Sequence, residues 1–247
     1  MSGLAPVAGA GAGGSAGGSG PHVLVGDVDA PELSTDDRHH LERVLRLRSG
    51  DPLTVGDGAG RWRPCRFGAV IELDGDVVAV AAPRVEIAVG FAVLKGGRSE
   101  SVVQKLTEVG VDRIAPFVAE RSVVRWDEAR ADRQVERWRR VTREAVMQCR
   151  RLWLPQIDPV REFGELDLTG AALAASVGGP MTGDENFVLI GPEGGWADAE
   201  LAAVPVHVGL GPHIMRAETA AVAAGAMLSA RRSGHLPAPG SPGSNPG

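Results

Sequence analysis

FVLIGPEGGWADAE, Phe187 to Glu200, reads as a strand, a glycine loop and the start of a helix. That order is how the chain usually builds a phosphate cradle, with backbone N–H groups and a helix N-terminus facing the anion. A nucleotide loop also needs the lysine and serine or threonine of GxxxxGK[ST], and this loop has neither. It carries Glu193 instead. A carboxylate against a pyrophosphate is repulsive by roughly 1–4 kcal/mol at contact distance in polar surroundings. The loop therefore suits a ligand without phosphate.

A second unit of the same build follows. VPVHVGL, 204–210, leads into Gly211-Pro212 and then HIMRAETAA, which enters a helix. Only a short helix, about Ala197 to Val204, separates the two units. Loops at the carboxyl ends of neighbouring strands in an open α/β sheet converge on one crevice, where ligands bind. Proline after glycine stiffens each loop and removes a donor. What remains is a set of carbonyls and a few N–H groups, suited to the edge of a base. A cationic adenine ligand such as S-adenosylmethionine fits a loop bearing a carboxylate. The plainer alternative is a pair of structural turns.

Outward from these loops the chain divides in two. From Pro21 to about Arg84 the signals are mostly β, with HVLVGDV as one strand and with glycine–aspartate turns inside LTVGDGAGRWRPCRF and AVIELDGDVVAVAA. Asp74-Gly75 is the cleaner hairpin turn of the two. Between them TDDRHHLERVLRLRSGD has helical spacing at Leu41, Val44 and Leu45, ending at Gly50. Several short strands and one helix predict a small β-barrel. From 85 to about 233 strand and helix alternate. EIAVGFAVLK is a strand, and a helix capped by Ser99 follows and stops at Gly110. DRIAPFVAERSVV holds the next strand. A long helix from Asp127 to about Arg151 has Val135, Trp138, Thr142, Ala145 and Cys149 on one stripe. ALAASV and the two glycine-loop units complete the pattern, and a final helix spans about Glu218 to Arg232. Such alternation predicts an α/β domain with a mainly parallel sheet. The leader to Gly20 and the tail from Gly234 are Gly-, Ser- or Pro-rich and are expected to be flexible.

Composition excludes other classes. The 247 residues carry a formal net charge of −5, so a nucleic-acid role needs a local basic patch. The segment Arg121–Arg151 offers one, with ten arginines against five acids and Trp126, Trp138 and Trp153 interleaved, although Trp138 lies on the apolar stripe and the plainer alternative is a solvated helix face. Cys65 and Cys149 lack disulfide or zinc spacing and read as thiols of a reducing cytoplasm. His39-His40 point about 100° apart on a helix and have no ligand partners at metal spacing. No apolar run approaches the ~20 residues of a membrane span.

IGPEGGW…E followed by LGPHIMRAETAAVAA resembles the signature of SPOUT methyltransferases, specifically the family that methylates N3 of a uridine in 16S ribosomal RNA. HHLERVLRLRSGD…VGDGAG resembles that family's N-terminal PUA-like barrel. LKGGRSESVVQKLTEVGVDRIAPFVAERSVV and REAVMQCRR…P resemble the start of its catalytic domain. The likeness runs from about Asp36 to Ala230 in the family's order. It implies a C-terminal SPOUT domain with a deep trefoil knot, a homodimer, and a uridine in the decoding region of the small ribosomal subunit as substrate.

It also implies S-adenosylmethionine as cofactor, with S-adenosylhomocysteine as product and no metal. The binding residues carried over are Ile190, Gly191, Pro192, Glu193, Gly194 and Gly195 in the first loop. Those of the second are Leu210, Gly211, Ile214, Met215 and Arg216, continuing into Glu218, Thr219 and Ala220. The segment ALAASVGGPMTGDENF is shorter than the family's, and Ser176 and Gly178 stand as its candidates. Arg38, His40, Arg43 and Arg46 on the barrel, with Lys95, Arg98, Lys105 and Arg121 beyond it, are the candidate RNA contacts. Lys95, Arg98 and Arg121 match basic positions in the family's motifs.

Methylating uridine N3 requires loss of the N3 proton and in-line attack on the sulfonium methyl carbon. Charge then spreads to O2 and O4, where a preorganised cation stabilises it. Arg216 is the catalytic candidate, the alternative being a loop-fixing pair with Glu218 or a helix end. Glu193 either orients the cofactor or accepts a proton, or else caps the following helix. Two rivals stay open: the same fold acting on another RNA or on a ribose hydroxyl, and a non-catalytic RNA-binding protein with a degenerate pocket.

Overall fold

The computed structural model describes residues 14–236, so the leader before Gly14 and the tail from Pro237 lie outside the described residues. The chain forms two compact units. One takes the described residues up to Arg84 together with Arg143–Leu154, and the other takes Val85–Thr142 with the residues from Pro155 on.

The first unit contains β1 (His22–Leu24), α1 (Thr35–His39), β2 (Pro52–Gly56), β3 (Arg61–Arg66), β4 (Glu72–Leu73) and β5 (Val78–Ala79). β1 runs parallel to β2, and β2 and β3 form an antiparallel hairpin. Asp57 closes its turn by accepting the N–H groups of Ala59 at 2.7 Å and Arg61 at 3.0 Å. The hairpin expected at Asp74-Gly75 is absent. β4 and β5 both pair with β3, as two parts of one interrupted strand, and Gly75 has no positive φ. The reversal falls earlier, between Arg66 and Glu72, where Phe67 and Ile71 bury themselves in the core. Hydrophobic burial of those two side chains outweighs the local turn preference of Asp-Gly.

The helix expected to reach Gly50 is also shorter. Ser34 caps its start by accepting the Asp37 N–H at 3.0 Å. After His39 the chain makes one wide turn, His40–Val44, and then Arg46 adopts a φ of 58°. Leu41 is buried, but Val44 and Leu45 are 61% and 46% exposed, so the small core receives one of the three apolar side chains. The described end of the leader is anchored rather than free. Ala16 is buried and its N–H donates to the Arg150 carbonyl at 2.9 Å, while the Arg150 guanidinium donates to the carbonyls of Ala16, Gly17 and Gly20.

The second unit contains β6 (Ala88–Ala92), α2 (Arg98–Glu108), β7 (Arg113–Val118), α3 (Glu128–Cys149, as far as Thr142 in this unit), β8 (Gln156–Ile157) and β9 (Arg161–Glu162). It continues with β10 (Ala171–Gly179), β11 (Phe187–Ile190), α4 (Asp198–Ala203), β12 (His207–Val208) and α5 (Ala217–Arg232). Its strands run in the order β12-β10-β11-β6-β7-β8, with β9 also on β7, and every pairing is parallel. Both faces are covered, which is why the strands read as continuous apolar runs. Val89, Phe91, Val188 and Ile190 face the core shared with α2, α3 and α5. Ala88, Ala92, Phe187 and Leu189 face the opposite core, which contains Trp196 and Val204.

Two details differ from expectation. Gly97, not Ser99, occupies the cap of α2. Ser99 is buried inside the first turn, where its hydroxyl accepts the Leu94 N–H at 3.0 Å and pins the preceding loop. β11 and β12 are not neighbours, because β10 lies between them.

Candidate active site

Because β10 separates the two glycine-loop strands, its own residues enter the crevice. A cavity of about 170 Å³ is lined by Ala174, Ala175 and Ser176 from β10, by Leu210 to Met215, and by Ala220 on α5. The lining is largely apolar, with Ser176, His213 and backbone groups as its polar elements. Such a wall suits a flat aromatic ring whose edge is read by main-chain groups.

Of the candidate cofactor residues, the structure thus brings together Ser176, Leu210, Gly211, Ile214, Met215 and Ala220. Ile214 is 92% exposed, at the rim. Gly178 lies outside the lining and serves the geometry of the strands. A Cβ there would stand 2.3 Å from the Val208 carbonyl carbon, so only glycine lets β10 approach β12 this closely. Gly209 N–H bonds the Gly179 carbonyl at 2.7 Å across the same contact.

The first glycine loop takes a different place. Ile190 is buried in the core, and Gly191 lies against the indole of Trp196, whose Nε1 donates to the Ala174 carbonyl at 2.9 Å. Pro192 and Gly195 close a turn by a bond of 2.9 Å, with Gly195 at a φ of 73°. Gly194 packs against the backbone of Arg121. The loop therefore supports the β10 wall through Trp196 without itself lining the cavity.

Glu193 does not cap α4. That task falls to the buried Glu200, which accepts the N–H groups of Ala197 at 2.8 Å and of Glu120 at 2.9 Å. Glu193 instead pairs with Arg98 at 2.8 Å, and the same guanidinium stands 3.5 Å from Glu218. One Glu218 carboxylate oxygen is buried without a hydrogen-bond partner. Arg98 thus joins the first turn of α2, the first glycine loop and the first turn of α5.

Arg216 is the N-cap residue of α5, and its side chain is exposed and makes no capping bond. Among the described residues it enters no ion pair, since Glu218 has Arg98 as its partner. Its carbonyl accepts the Ala220 N–H at 2.9 Å. Thr219 is exposed on the same turn.

The candidate RNA contacts separate by partner. Arg38 is held in the first unit by the carbonyls of Gly68 and Ala69 and lies over the Phe67 ring. His40, Arg43 and Arg46 are exposed beside it in sequence. Lys95 and Arg121 are exposed, and Lys105 pairs with Glu108 at 2.8 Å. Ala174, Ala175, Pro212 and His213 line the cavity but were not among the sequence candidates. The strand-end rule that selects the glycine loops would have found the two alanines had β10 been recognised as their neighbour. Among the described residues no group of three or more His, Cys, Asp or Glu is disposed to hold a metal ion.

Comparison with known proteins assigns this architecture. Residues 81–229 match the RNA methyltransferase domain family and residues 33–72 the RNA methyltransferase PUA domain. Ribosomal RNA small subunit methyltransferase E of Mycobacterium bovis is 35% identical over 223 residues, covering 76% of this chain and 82% of the relative. The protein of that name from Bacillus subtilis is 28% identical, covering 78% and 87%. A structure from Legionella pneumophila in complex with the bound cofactor SAM superposes with a TM-score of 0.71 at 25% identity, covering 85% of this chain and 96% of that one. Ribosomal RNA small subunit methyltransferase E from Neisseria gonorrhoeae, bound to S-adenosyl methionine, shares the fold with a TM-score of 0.69 at 22% identity, covering 84% and 96%. With a PUA domain ahead of a parallel α/β domain that carries two glycine–proline loops, this chain belongs to the ribosomal RNA small subunit methyltransferase E family.

Proposed function

We propose that this protein uses S-adenosylmethionine to methylate N3 of a uridine in the decoding region of 16S ribosomal RNA, giving 3-methyluridine. The observation that carries the reading is the cavity between Ala174–Ser176 of β10 and Leu210–Met215, followed in the chain by Arg216, which enters no ion pair among the described residues.

The residues present fit the cofactor. The apolar cavity accepts an adenine ring, and no lysine lines it to await a phosphate. S-adenosylmethionine, when bound, supplies the electrophilic methyl group on a sulfonium. The chain's own part is positioning and electrostatics. Leu210 to Met215 and Ala220 would hold the ring. Arg216, fixed by the start of α5 and unpaired, meets the negative charge that spreads to uridine O2 and O4 as N3 loses its proton. Glu193 acts through Arg98, its partner at 2.8 Å, to hold the first glycine loop.

The same reading divides the chain into an RNA-binding PUA-like barrel at 21–84 and a methyltransferase domain at 85–233. It includes trefoil threading, a homodimer acting on the small ribosomal subunit, and a cytoplasmic location. The return of the chain from the edge strand β12 to α5, which packs over β6 and β11, supports the threading. No described helix is long and apolar enough to cross a membrane.

Mass spectrometry of 16S RNA from a strain lacking the gene tests the substrate: 3-methyluridine should disappear and return on complementation. Persistence of 3-methyluridine, with a methyl lost from another RNA or a ribose, would overturn the assignment. Calorimetry tests the class, because absence of S-adenosylmethionine binding at millimolar ligand would leave only a non-catalytic role.

A further inference from the structure

The methyltransferase unit contains a second and larger cleft, about 520 Å³, that shares no lining residue with the cofactor cavity. Its walls are the loop Leu94–Gly97 between β6 and α2, the loop Val123–Trp126 before α3, and Arg130, Gln134 and Arg137 on α3. Lys95, Arg125, Arg130 and Arg137 bring four positive charges, and Glu100 is the one acid among them. Glu100 is already paired with Arg137 at 2.9 Å. Arg125 is committed to the carbonyls of Ala119 and Glu120, which fixes the loop.

The floor is aromatic. Trp126 is half-buried, braced by Trp138 at 5.9 Å between ring centroids, and the Arg130 guanidinium lies 5.8 Å from its ring centre. Lys95 is exposed on the opposite loop. That loop is tied to the first glycine loop: Arg98 donates to the Lys95 carbonyl at 3.1 Å and pairs with Glu193 at 2.8 Å.

We propose that this cleft holds one single-stranded nucleotide of the substrate RNA flanking the target uridine, its base stacked on Trp126 and its phosphate between Lys95 and Arg130. The proposal rests on the RNA methyltransferase reading above. A cationic groove with an aromatic floor is how proteins grip single strands without reading sequence, since every base has a face to stack. A small anion alone would leave the tryptophan unused, and an apolar ligand would leave the cations unused. A continuous duplex keeps its bases stacked on one another and cannot offer one to the floor of a cleft.

The test measures binding of a short labelled oligouridylate by fluorescence anisotropy, methyl transfer to unmethylated 16S RNA, and calorimetric S-adenosylmethionine affinity. Trp126→Ala should weaken oligouridylate binding about tenfold and raise the KM for RNA, leaving kcat and cofactor affinity unchanged. Trp126→Phe should recover most of the loss. Lys95→Gln combined with Arg130→Gln should lower the salt dependence of binding by about two ions. Because Trp126 braces Trp138, thermal melts accompany each variant, and an unfolded alanine variant leaves the phenylalanine and double-glutamine variants to decide. Wild-type RNA affinity, KM and salt slope in the variants would overturn the cleft assignment alone. A wild-type protein that binds oligouridylate with these sensitivities yet methylates no RNA keeps the cleft and overturns the enzymatic reading. Absence of RNA binding by the wild type overturns both.

Discussion

Arg98 and Glu193 form an ion pair of 2.8 Å that ties the first residue of α2 to the first glycine loop. Both side chains are partly exposed, so the pair contributes less than about 1 kcal/mol to stability. Its consequence is positional. Arg98→Ala should shift the melting temperature by no more than about 3 °C while lowering kcat/KM roughly tenfold, and Arg98→Lys should restore part of the rate. A kcat/KM equal to wild type would show that the loop keeps its place without the pair.

Arg216→Ala addresses the chemistry. Removing a donor aimed at developing charge costs about 10²–10³ in kcat. S-adenosylmethionine affinity should change little, since the arginine faces the uridine in the proposed arrangement. Single-turnover kinetics with saturating cofactor measure this directly. An unchanged rate would remove Arg216 from the mechanism.

Gly178→Ala tests how the edge strand supports the pocket. The new Cβ would meet backbone of Val208 and Gly209, which no rotamer change relieves. A destabilisation of about 1–3 kcal/mol is expected from such overpacking. Calorimetric cofactor affinity should fall with it, because the cavity loop begins two residues after β12.

His22 sets a pH dependence in the first unit. Burial and the neighbouring Arg150 charge lower its pKa from 6.5 to about 4. Between these values the unfolded chain takes up a proton that the folded unit refuses. Stability should therefore be constant above the unfolded value, fall as pH drops from about 6.5 to about 4, and level off below. The loss amounts to about 3 kcal/mol from this group. Urea unfolding of wild type and His22→Gln across that range checks it, and the variant should lack this component of the slope.

Local pattern made much of this molecule legible. Of the α3 stripe, Val135, Trp138, Thr142 and Ala145 are buried as the spacing requires, while Cys149 at its end is only partly buried. The alternation of strand and helix after residue 85 became a parallel sheet, and the two glycine–proline loops lie at strand ends as read. The Asp74-Gly75 hairpin and the long helix through Leu45 failed for one reason. In each, a few side chains such as Phe67, Ile71 and Leu41 claimed the space of a small core, and burial overrode a local preference.

Legible in the chain alone were two glycine–proline loops without a nucleotide-loop lysine, a carboxylate in the first and an arginine in the second. Those follow from composition and spacing within short segments. Which residues meet depends on strand order. Inserting β10 between β11 and β12 brought Ala174 to Ser176 into the cavity and turned the first glycine loop from a wall into its support. Strand order is set by burial of both sheet faces across residues far apart in the chain, and no local stretch carries that information.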